Sequence, residues 1–300
     1  MFNCSLNKNT GNGNIVLQIG KLQITDYEVE KNIKLYQSNF FQKTGRQPNE
    51  NEFKQWEKEF VDRAYFIANA YDKGYDSMLI VNKKVSAMEH YIVSQPGGLF
   101  EQKIIEDSLG VKNYKINSTK RIQILDNYRA ETKVKSQASF NNDLLSDISK
   151  IIASDGSIHE FDKGRFAVFS KLNIVTFKIE GSEIDVSCKD FMEYYNELPM
   201  RHAIGNINQL RLAIDAMVQQ EYNYRQAEKI GITVQPKFIL DRDNFKKNVV
   251  YSMYENNEIK KGKEIGEPQL KQVKDAMVSK LRKLYTVKNK IEIHKYFAQQ

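Results

Sequence analysis

Most of the chain carries apolar residues at three- and four-residue steps, the spacing that places side chains on one face of a helix. The first such run follows the short apolar stretch at residues 15–19, which predicts a strand closed by Gly20. Thr25 and Glu28 then form a capping box, in which each side chain accepts a hydrogen bond from an otherwise unpaired backbone N–H. The pattern therefore predicts a strand followed by a capped helix.

A longer amphipathic helix is predicted over residues 51–73, with Gly74 in the left-handed conformation that commonly ends helices. Its apolar stripe includes Trp56, Phe60 and Ile67, which the spacing assigns to a core. Further helical patterns cover residues 79–90, 99–108, 119–130 and 142–152.

The polar segment ASDGSIHEFDKGR, residues 153–165, separates two periodic regions and is predicted to be a linker. The residues after it are rich in Val, Ile, Phe and Thr, which predicts one or two strands with a turn at Gly181. A cap at Ser187 opens the next helix, and a long helix over about residues 207–229 ends at Gly231.

The two halves therefore share an order of elements, and the positions of several residues indicate a duplication. Gly74 and Gly231 are 157 residues apart (231 minus 74), and so are Tyr128 and Tyr285 (285 minus 128), each tyrosine being followed by a Val-Lys pair. The alternative is that any two helical domains share caps and glycines.

The resulting prediction is a mainly α fold of two tandem helical modules, each with one or two short strands at its start. The boundaries are a disordered leader at 1–13, a first module at 14–152, a linker at 153–165 and a second module at 166–300.

Charge and composition bear on the partner. The 300 residues include 45 Lys and Arg against 38 Asp and Glu, a net charge of +7, and NYKINSTKRIQ interleaves lysine with tyrosine, so a basic nucleic-acid-binding protein is one alternative. Because Lys and Glu are interspersed rather than blocked, solvated helix faces explain the charge better, and no nucleic-acid partner is expected.

Motifs for catalysis or metal binding are absent from the sequence. It contains no nucleophile elbow, phosphate-binding loop, dinucleotide fingerprint, H-E-x-x-H or C-x-x-C. The acidic residues of EFDKG and of DRD at 241–243 lack the spacing of a calcium loop. Cys188 is predicted to be a small packing residue. We therefore assign no catalytic, cofactor-binding or metal-ligating residue, and no cofactor.

Aromatic residues are the more informative group. The chain has 16 Tyr, 16 Phe and one Trp, many in clusters, and aromatic and methionine side chains adapt to apolar segments of different shape. Neighbours such as Tyr194 and Tyr195 cannot both face one side of a helix, so one member of each pair must point elsewhere. The candidate polypeptide-binding residues are Tyr36, Phe41, Tyr65, Tyr195, Tyr222, Tyr251, Met253 and Tyr254.

The stretches IVLQIGKLQITDYEVEKNIKLYQ and FVDRAYFIANAYDKGYDSMLIVNKKV resemble the helical N-terminal module of the SurA/PrsA family of periplasmic chaperones and foldases. The stretches VTFKIEGSEIDVSCKDFMEYYN and VQQEYNYRQAEKIGITV are similar to it again, so the two copies cover most of residues 14–297. The resemblance implies an ATP-independent chaperone of the periplasm or cell envelope. Its partners would be unfolded polypeptides or envelope protein clients.

The family usually also carries a parvulin-type prolyl isomerase domain, whose signature is missing here. The one Gly-Gly pair lies in QPGGLFEQ, where Phe100 follows instead of the acidic residue and glycine of the family pattern. The strand-rich region 153–184 is too short for the whole domain. The resemblance thus implies a chaperone without its own isomerase, and a peptidyl-prolyl isomerase with a divergent catalytic region stays an alternative.

Cys4 is a candidate for lipid attachment within this resemblance. In bacterial lipoproteins the lipidated cysteine is followed by a polar tether, and CSLNKNTGNG is of that kind. Only MFN precedes Cys4, so a signal peptide would have to lie upstream of the given start. The alternative is that Cys4 is incidental.

Overall fold

A computed structural model of the chain describes residues 13–112, 115–198 and 201–288, which are mainly helical, as predicted. In chain order the first elements are β1 (Ile15–Ile19), β2 (Leu22–Thr25), α1 (Asp26–Thr44), α2 (Glu50–Asp72), α3 (Leu79–Ser94), α4 (Leu99–Leu109), α5 (Ser118–Ser136), β3 (Ser139–Phe140) and α6 (Asn142–Ser154). They are followed by β4 (Asn173–Ile179), β5 (Ser182–Ser187), α7 (Cys188–Glu197), α8 (Ile207–Lys229), α9 (Pro236–Tyr254), α10 (Glu267–Leu284) and β6 (Val287–Lys288).

Local capping sets the helix boundaries where the sequence predicts them. The Thr25 hydroxyl accepts from the Glu28 N–H, and the Glu28 carboxylate accepts from the Thr25 N–H at 2.9 Å. Asn49 caps α2 in the same way through Glu52. Gly74 follows α2 with a φ of 77°, which only glycine adopts without strain.

The 157-residue offset seen in the sequence recurs in the element boundaries, as a duplication predicts. Helix α8 begins and ends 157 residues after α2 (207 minus 50, 229 minus 72), and α9 begins 157 residues after α3 (236 minus 79). The N-caps Asn49 and Asn206 share this offset. Both strand hairpins precede a capped helix, although their N-caps, Thr25 and Ser187, are 162 residues apart (187 minus 25).

One pair of sequence markers is not structurally equivalent. Tyr128 lies within α5, whereas Tyr285 lies just beyond the end of α10. The strands that follow these two helices, β3 and β6, begin 148 residues apart (287 minus 139), so the second copy is shorter here. Copy 1 therefore runs from β1 to β3, residues 15–140, and copy 2 from β4 to β6, residues 173–288.

The chain folds into two compact units that do not coincide with the two copies. Unit 1 combines the residues up to Asn82 with those from Ile239 onwards, and unit 2 is Lys83–Phe238. Each unit thus takes the hairpin and long helix of one copy and the closing helix and strand of the other. The predicted boundaries assumed that each copy packs on itself, and the structure differs from them in this respect.

In unit 1, β1 lies between β2 and β6 and is antiparallel to both. Strand β6 belongs to copy 2 and β1 to copy 1, with Ile19 opposite Val287. Helix α10 packs against α2. The buried side chains of this unit include Ile19, Ile33, Phe53 and Tyr254.

Unit 2 repeats this arrangement with the copies exchanged. Strand β4 lies between β3 and β5, with Phe140 of copy 1 opposite Val175 of copy 2. Helices α5 and α6 pack against α8. The core includes Ile148, Phe177, Phe191 and Ile214, together with the Cys188 thiol, whose predicted packing role is confirmed.

The segment 153–165, predicted to be a linker, is part of the unit 2 fold. Ile158 forms a β-bridge with Ile204. Phe161 is buried, and its ring makes edge-to-face contacts with Phe191 and Tyr195, with centroids 5.6 and 5.4 Å away. The segment is polar on average, but Ile158 and Phe161 attach it to the unit 2 core.

None of the helices in the described ranges combines the length and the apolar character needed to cross a lipid bilayer. The predicted leader lies outside these ranges except for Gly13.

Candidate functional site

In unit 1 a groove of about 600 Å³ lies between α2 and α10. We call it the aromatic groove, because Trp56, Phe60 and Phe66 of α2 and Tyr251 of α9 contribute to its wall. Trp56, Phe60 and Tyr251 are only half-buried, whereas Ile67, on the same helix, is fully buried. The core position predicted from the helical stripe is therefore confirmed for Ile67, and the two aromatic residues face the groove instead.

The aromatic side chains continue as a ladder from α2 to α1. The Trp56 ring stacks on Phe60 with centroids 5.3 Å apart, and on Tyr36 of α1 with centroids 5.4 Å apart. Tyr36 in turn contacts Phe40 at 5.8 Å. All four rings are half-buried. Together they form a partly exposed aromatic surface held on two helices.

Cations surround the Tyr251 ring at one end of the groove. The Arg63 guanidinium lies 4.5 Å from the ring centroid and the Lys274 ammonium 5.6 Å from it, both within the range of cation–π attraction. Arg63 also donates to Asn248 Oδ1 at 2.8 Å, while its buried Nε has no hydrogen-bond partner. Burial lowers the pKa of Arg63, and it also raises the pKa of Tyr251.

Glu255 provides a negative charge beside the Tyr251 ring and pairs with two lysines. It opens a π-helical turn, Glu255–Ile259, that continues α9, and it pairs with Lys274 at 2.7 Å and with Lys260 at 3.0 Å. Burial alone would raise the pKa of Glu255, but hydrogen bonds from Lys274, Tyr251 and Lys260 lower it to about 2. Glu255 is therefore charged at neutral pH.

Unit 2 contains a groove at the equivalent place with a different lining. Its α8 residues Ala216, Gln219 and Asn223 correspond, at the 157-residue offset, to Glu59, Asp62 and Phe66 of the aromatic groove. The position equivalent to Tyr251 is Ser94, and that equivalent to Trp56 is Ala213. We call it the amide groove; its volume is about 290 Å³.

A further cavity of unit 2 lies beside the β4–β5 hairpin and measures about 360 Å³. We call it the hairpin pocket. His90 lies at its edge, with Nε2 2.7 Å from the Glu221 carboxylate, Nδ1 2.8 Å from the Ser86 carbonyl oxygen, and its ring stacked on Tyr224 at 4.2 Å. Both partners can only accept hydrogen bonds, so two donated bonds require the imidazolium form.

The electrostatic surroundings of His90 agree with that geometry. Burial would lower the pKa of His90, but the Glu221 carboxylate, the Ser86 carbonyl and the charge of Glu89 raise it above its usual value. Burial raises the pKa of Glu221, and the opposing contacts with His90 and Arg225 lower it overall. Both shifts favour the ion-paired form of His90 and Glu221.

Half of the candidate polypeptide-binding residues are interior side chains. Tyr65, Tyr195, Tyr222 and Tyr254 are buried. The Tyr254 hydroxyl donates to Asn69 at 2.7 Å, and the Tyr195 hydroxyl donates to the His202 carbonyl. These four tyrosines support the two cores and offer no surface to a partner. The expected division of neighbouring pairs does hold for Tyr194, which lines the hairpin pocket while Tyr195 is buried.

The other candidates lie closer to the surface. Tyr251 lines the aromatic groove, and Tyr36 belongs to the ladder beside it. Met253 is half-buried, and Phe41 is 51% exposed on α1. The candidate lipid-attachment residue Cys4 lies outside the described residues.

Sequence reasoning did not find Arg63, Glu255 or Lys274 as groove residues. They come from α2, the π-helical turn and α10, and nothing in the pattern of either stretch indicates that they meet around Tyr251. Aromatic clustering at Trp56 and Phe60 was the available signal, although it was interpreted as core.

Within the described ranges no group of three or more His, Cys, Asp or Glu side chains is placed to hold a metal ion. Comparisons of the chain with protein-family models, with curated proteins and with solved structures find no match. The resemblance to the SurA/PrsA family therefore stays a prediction from the sequence.

Proposed function

We propose that this protein binds unfolded polypeptides in the aromatic groove of unit 1 and holds them in solution, as an ATP-independent chaperone without prolyl isomerase activity of its own. The proposal is supported by the partly exposed rings of Trp56, Phe60 and Tyr251, carried by helices rather than by loops. Aromatic rings provide a large contact area and lose little rotamer freedom on binding, which suits clients of varied sequence.

The observation that carries this proposal is the difference between the two equivalent grooves. The duplicated fold tolerates Ala213, Asn223 and Ser94 in unit 2 where unit 1 has Trp56, Phe66 and Tyr251. Packing of this fold therefore does not require aromatic side chains at these three positions, although Phe100 and Tyr128 line the amide groove elsewhere. Exposed apolar surface that folding does not demand is typical of an interaction site.

The rim of the aromatic groove carries charges of both signs, including Lys58, Glu59, Asp62, Lys271 and Asp275. A mixed rim does not favour clients of one charge, so the apolar contacts would decide binding. Selection by shape and apolar area rather than by charge is what a holdase for many clients requires.

The proposed place of action is the periplasm or cell envelope, with envelope proteins as clients, which follows from the sequence resemblance alone. Anchoring through lipidated Cys4 belongs to the same proposal.

Trp56 makes the proposal directly testable, because it is the one tryptophan of the chain and it lies in the groove. Titration with a permanently unfolded, tryptophan-free polypeptide is expected to change the Trp56 emission and to saturate. In parallel, stoichiometric protein is expected to suppress aggregation of a client diluted from denaturant. If neither effect occurs, the proposed function is wrong.

Two groove variants with a matched control locate the effect. Phe60→Ala and Tyr251→Ala are each expected to weaken client binding roughly fivefold to tenfold, as loss of a central aromatic contact does. Leu212→Ala, at a 66% exposed position on α8, is expected to leave it unchanged. A reduction of equal size in all three variants would contradict binding in the aromatic groove.

The two alternatives have their own readouts. A proline-limited refolding assay is expected to show no acceleration at catalytic amounts of protein, and real turnover would favour the isomerase. Nucleic-acid binding is expected to be lost by physiological salt, and binding that survives it would favour the basic nucleic-acid-binding protein.

A further inference from the structure

The hairpin pocket of unit 2 is a cavity at a place where side chains fill the equivalent space in unit 1. In unit 1 the Lys247 Nζ atom lies 2.6 Å from the Glu28 carboxylate and 2.6 Å from the Gln23 carbonyl oxygen, and the cavity beside them is only about 30 Å³. The equivalent position in unit 2 is His90 (247 minus 157). The His90 ring pairs with Glu221, and about 360 Å³ remains open.

The two units differ at this place in side chains and not in the elements that surround it. The same elements surround both places, since Met217 and Glu221 in unit 2 correspond to Phe60 and Ala64 in unit 1. In unit 1 Lys247 stands at the position of His90 and Phe60 at that of Met217, and the space between these elements is nearly closed. The open apolar pocket is therefore a property of this unit's sequence, and exposing it to water costs free energy that a ligand would recover.

The lining of the hairpin pocket is mostly apolar. Phe177 of β4, Ile184 and Val186 of β5, and Met217 of α8 contribute to it. The volume of about 360 Å³ falls in the range of ligand pockets and is large enough for one aromatic or branched side chain.

Carboxylates are held at the rim by lysines that stay in solvent. Glu193 pairs with Lys83 at 2.6 Å, and Glu197 pairs with Lys84 at 2.7 Å. The two glutamate side chains are 22% and 19% exposed, whereas the lysines are 44% and 39% exposed. Because both lysines are partly exposed, a cation on a ligand can take the place of one of them beside its carboxylate while the displaced ammonium returns to solvent.

The adjoining strand β5 is at the edge of its sheet. Among the described residues of unit 2, the strand order is β3-β4-β5, and β5 pairs with β4 along one side. An edge strand presents backbone N–H and C=O groups to which an extended chain can add. Its side chains Ile184 and Val186 already line the hairpin pocket.

We propose that the hairpin pocket is a second polypeptide-binding site, which takes an extended segment along the β5 edge. An apolar side chain fills the pocket, and a lysine or arginine two residues away lies on the same face of the added strand and pairs with Glu193 or Glu197. The site uses residues of unit 2 and does not depend on the function proposed for the aromatic groove.

The test uses the full chain with Trp56→Ala and Tyr251→Ala, so that the aromatic groove is disabled. The probe is a dye-labelled peptide, acetyl-Lys-Thr-Phe-Thr-Lys-amide, whose affinity is measured by fluorescence anisotropy at low salt. The charge-reversed peptide, acetyl-Glu-Thr-Phe-Thr-Glu-amide, is the matched probe. The basic peptide is expected to bind at least roughly tenfold more tightly than the acidic one.

Two sets of variants locate the peptide. Asp190, which lines the pocket, is the unit 2 equivalent of Glu28 (190 minus 162). His90→Lys with Asp190→Glu therefore introduces the Lys247–Glu28 pair of unit 1 into unit 2 and is expected to weaken binding roughly tenfold, with unchanged far-UV circular dichroism. Glu193→Gln with Glu197→Gln, which alters only the rim, is expected to weaken it roughly fivefold and to reduce its salt dependence. Gln219→Ala in the amide groove is the control and is expected to have no effect.

The proposal is overturned if the basic peptide does not bind, if the acidic peptide binds as tightly, or if the rim variant binds like its parent. If His90→Lys with Asp190→Glu prevents folding, the Glu193→Gln, Glu197→Gln variant still tests the proposal.

Discussion

Glu28 and Lys247, 219 residues apart in the chain, form a buried ion pair with 2.6 Å between the carboxylate and the ammonium. Glu28 belongs to copy 1 and Lys247 to copy 2. The same Glu28 carboxylate closes the capping box of α1 through the Thr25 N–H. The Glu28 side chain therefore takes part both in the local cap of α1 and in a contact between the two copies.

Lys247→Met is expected to destabilise unit 1 by about 3 kcal/mol, because it leaves a buried carboxylate without its cation. Adding Glu28→Gln is expected to restore most of this loss, since the amide oxygen still accepts from the Thr25 N–H. Urea unfolding followed by Trp56 fluorescence reports on unit 1. Lys31→Met, which removes a 45% exposed lysine, is the control, and a loss there as large as for Lys247→Met would contradict the role of burial.

A second set of ion pairs is compatible with the exchanged packing and not with the direct one. Lys31 of α1 pairs with Asp241 of α9 at 2.6 Å in unit 1. The equivalent positions in unit 2 are Glu193 (31 plus 162, the offset of the hairpin N-caps) and Lys84 (241 minus 157), so the signs of the charges are reversed. Glu193 pairs with the neighbouring Lys83. If each copy packed on itself, lysine would meet lysine and aspartate would meet glutamate. The charges thus favour the exchanged arrangement over the direct one.

Lys31→Glu is therefore expected to destabilise unit 1 by about 1 kcal/mol, because it places a second carboxylate beside Asp241. Asp241→Lys in the same chain is expected to recover part of that loss through the reversed pair. A double-mutant cycle on urea unfolding, read at Trp56, measures the coupling. Strict additivity of the two substitutions would show that these charges do not select the arrangement.

The His90–Glu221 pair predicts a pH dependence of unit 2. The pKa of His90 is raised above 6.5 in the folded unit. The contribution of protonated His90 to the free energy of unfolding is therefore complete below about pH 6.5, and it is lost as the pH rises through the raised value. The lowered pKa of Glu221 acts in the opposite sense, and its contribution is lost only as the pH falls through that lowered value.

His90→Gln is accordingly expected to cost unit 2 about 1–2 kcal/mol in mildly acidic solution and less in alkaline solution. Unfolding free energies from far-UV circular dichroism between mildly acidic and alkaline pH provide the measurement. His159→Gln, at an exposed position, serves as the control. A difference between wild type and His90→Gln that grows with pH would have the wrong sign for this ion pair.

Cys188 offers an independent probe of unit 2. Its side chain is buried, and burial raises the pKa of the thiol to about 12. In a Cys4→Ser background, alkylation at mildly alkaline pH is expected to be slower than in the unfolded chain by at least about 10³-fold, because reaction requires opening of the unit. Ser182→Cys, at an exposed position on β5, is expected to react at once. Rapid labelling of native Cys188 would contradict its burial.

The helices, their caps and the repeat follow from local features of the sequence. Thr25 with Glu28, Asn49 and the two stop glycines act over one helical turn, so their effect is independent of which segment packs nearby. The 157-residue offset between Gly74 and Gly231 can be recognised in the sequence for the same reason.

Long-range packing sets which halves pack together and which aromatic side chains stay partly exposed. Because both copies carry the same apolar pattern, that pattern is equally compatible with direct and with exchanged packing. The exchanged packing joins residues as far apart in the chain as Glu28 and Lys247, which are separated by 219 positions. The same long-range packing buries Tyr65 and Tyr222 and leaves Trp56 in a groove, although all three lie on similar amphipathic helices.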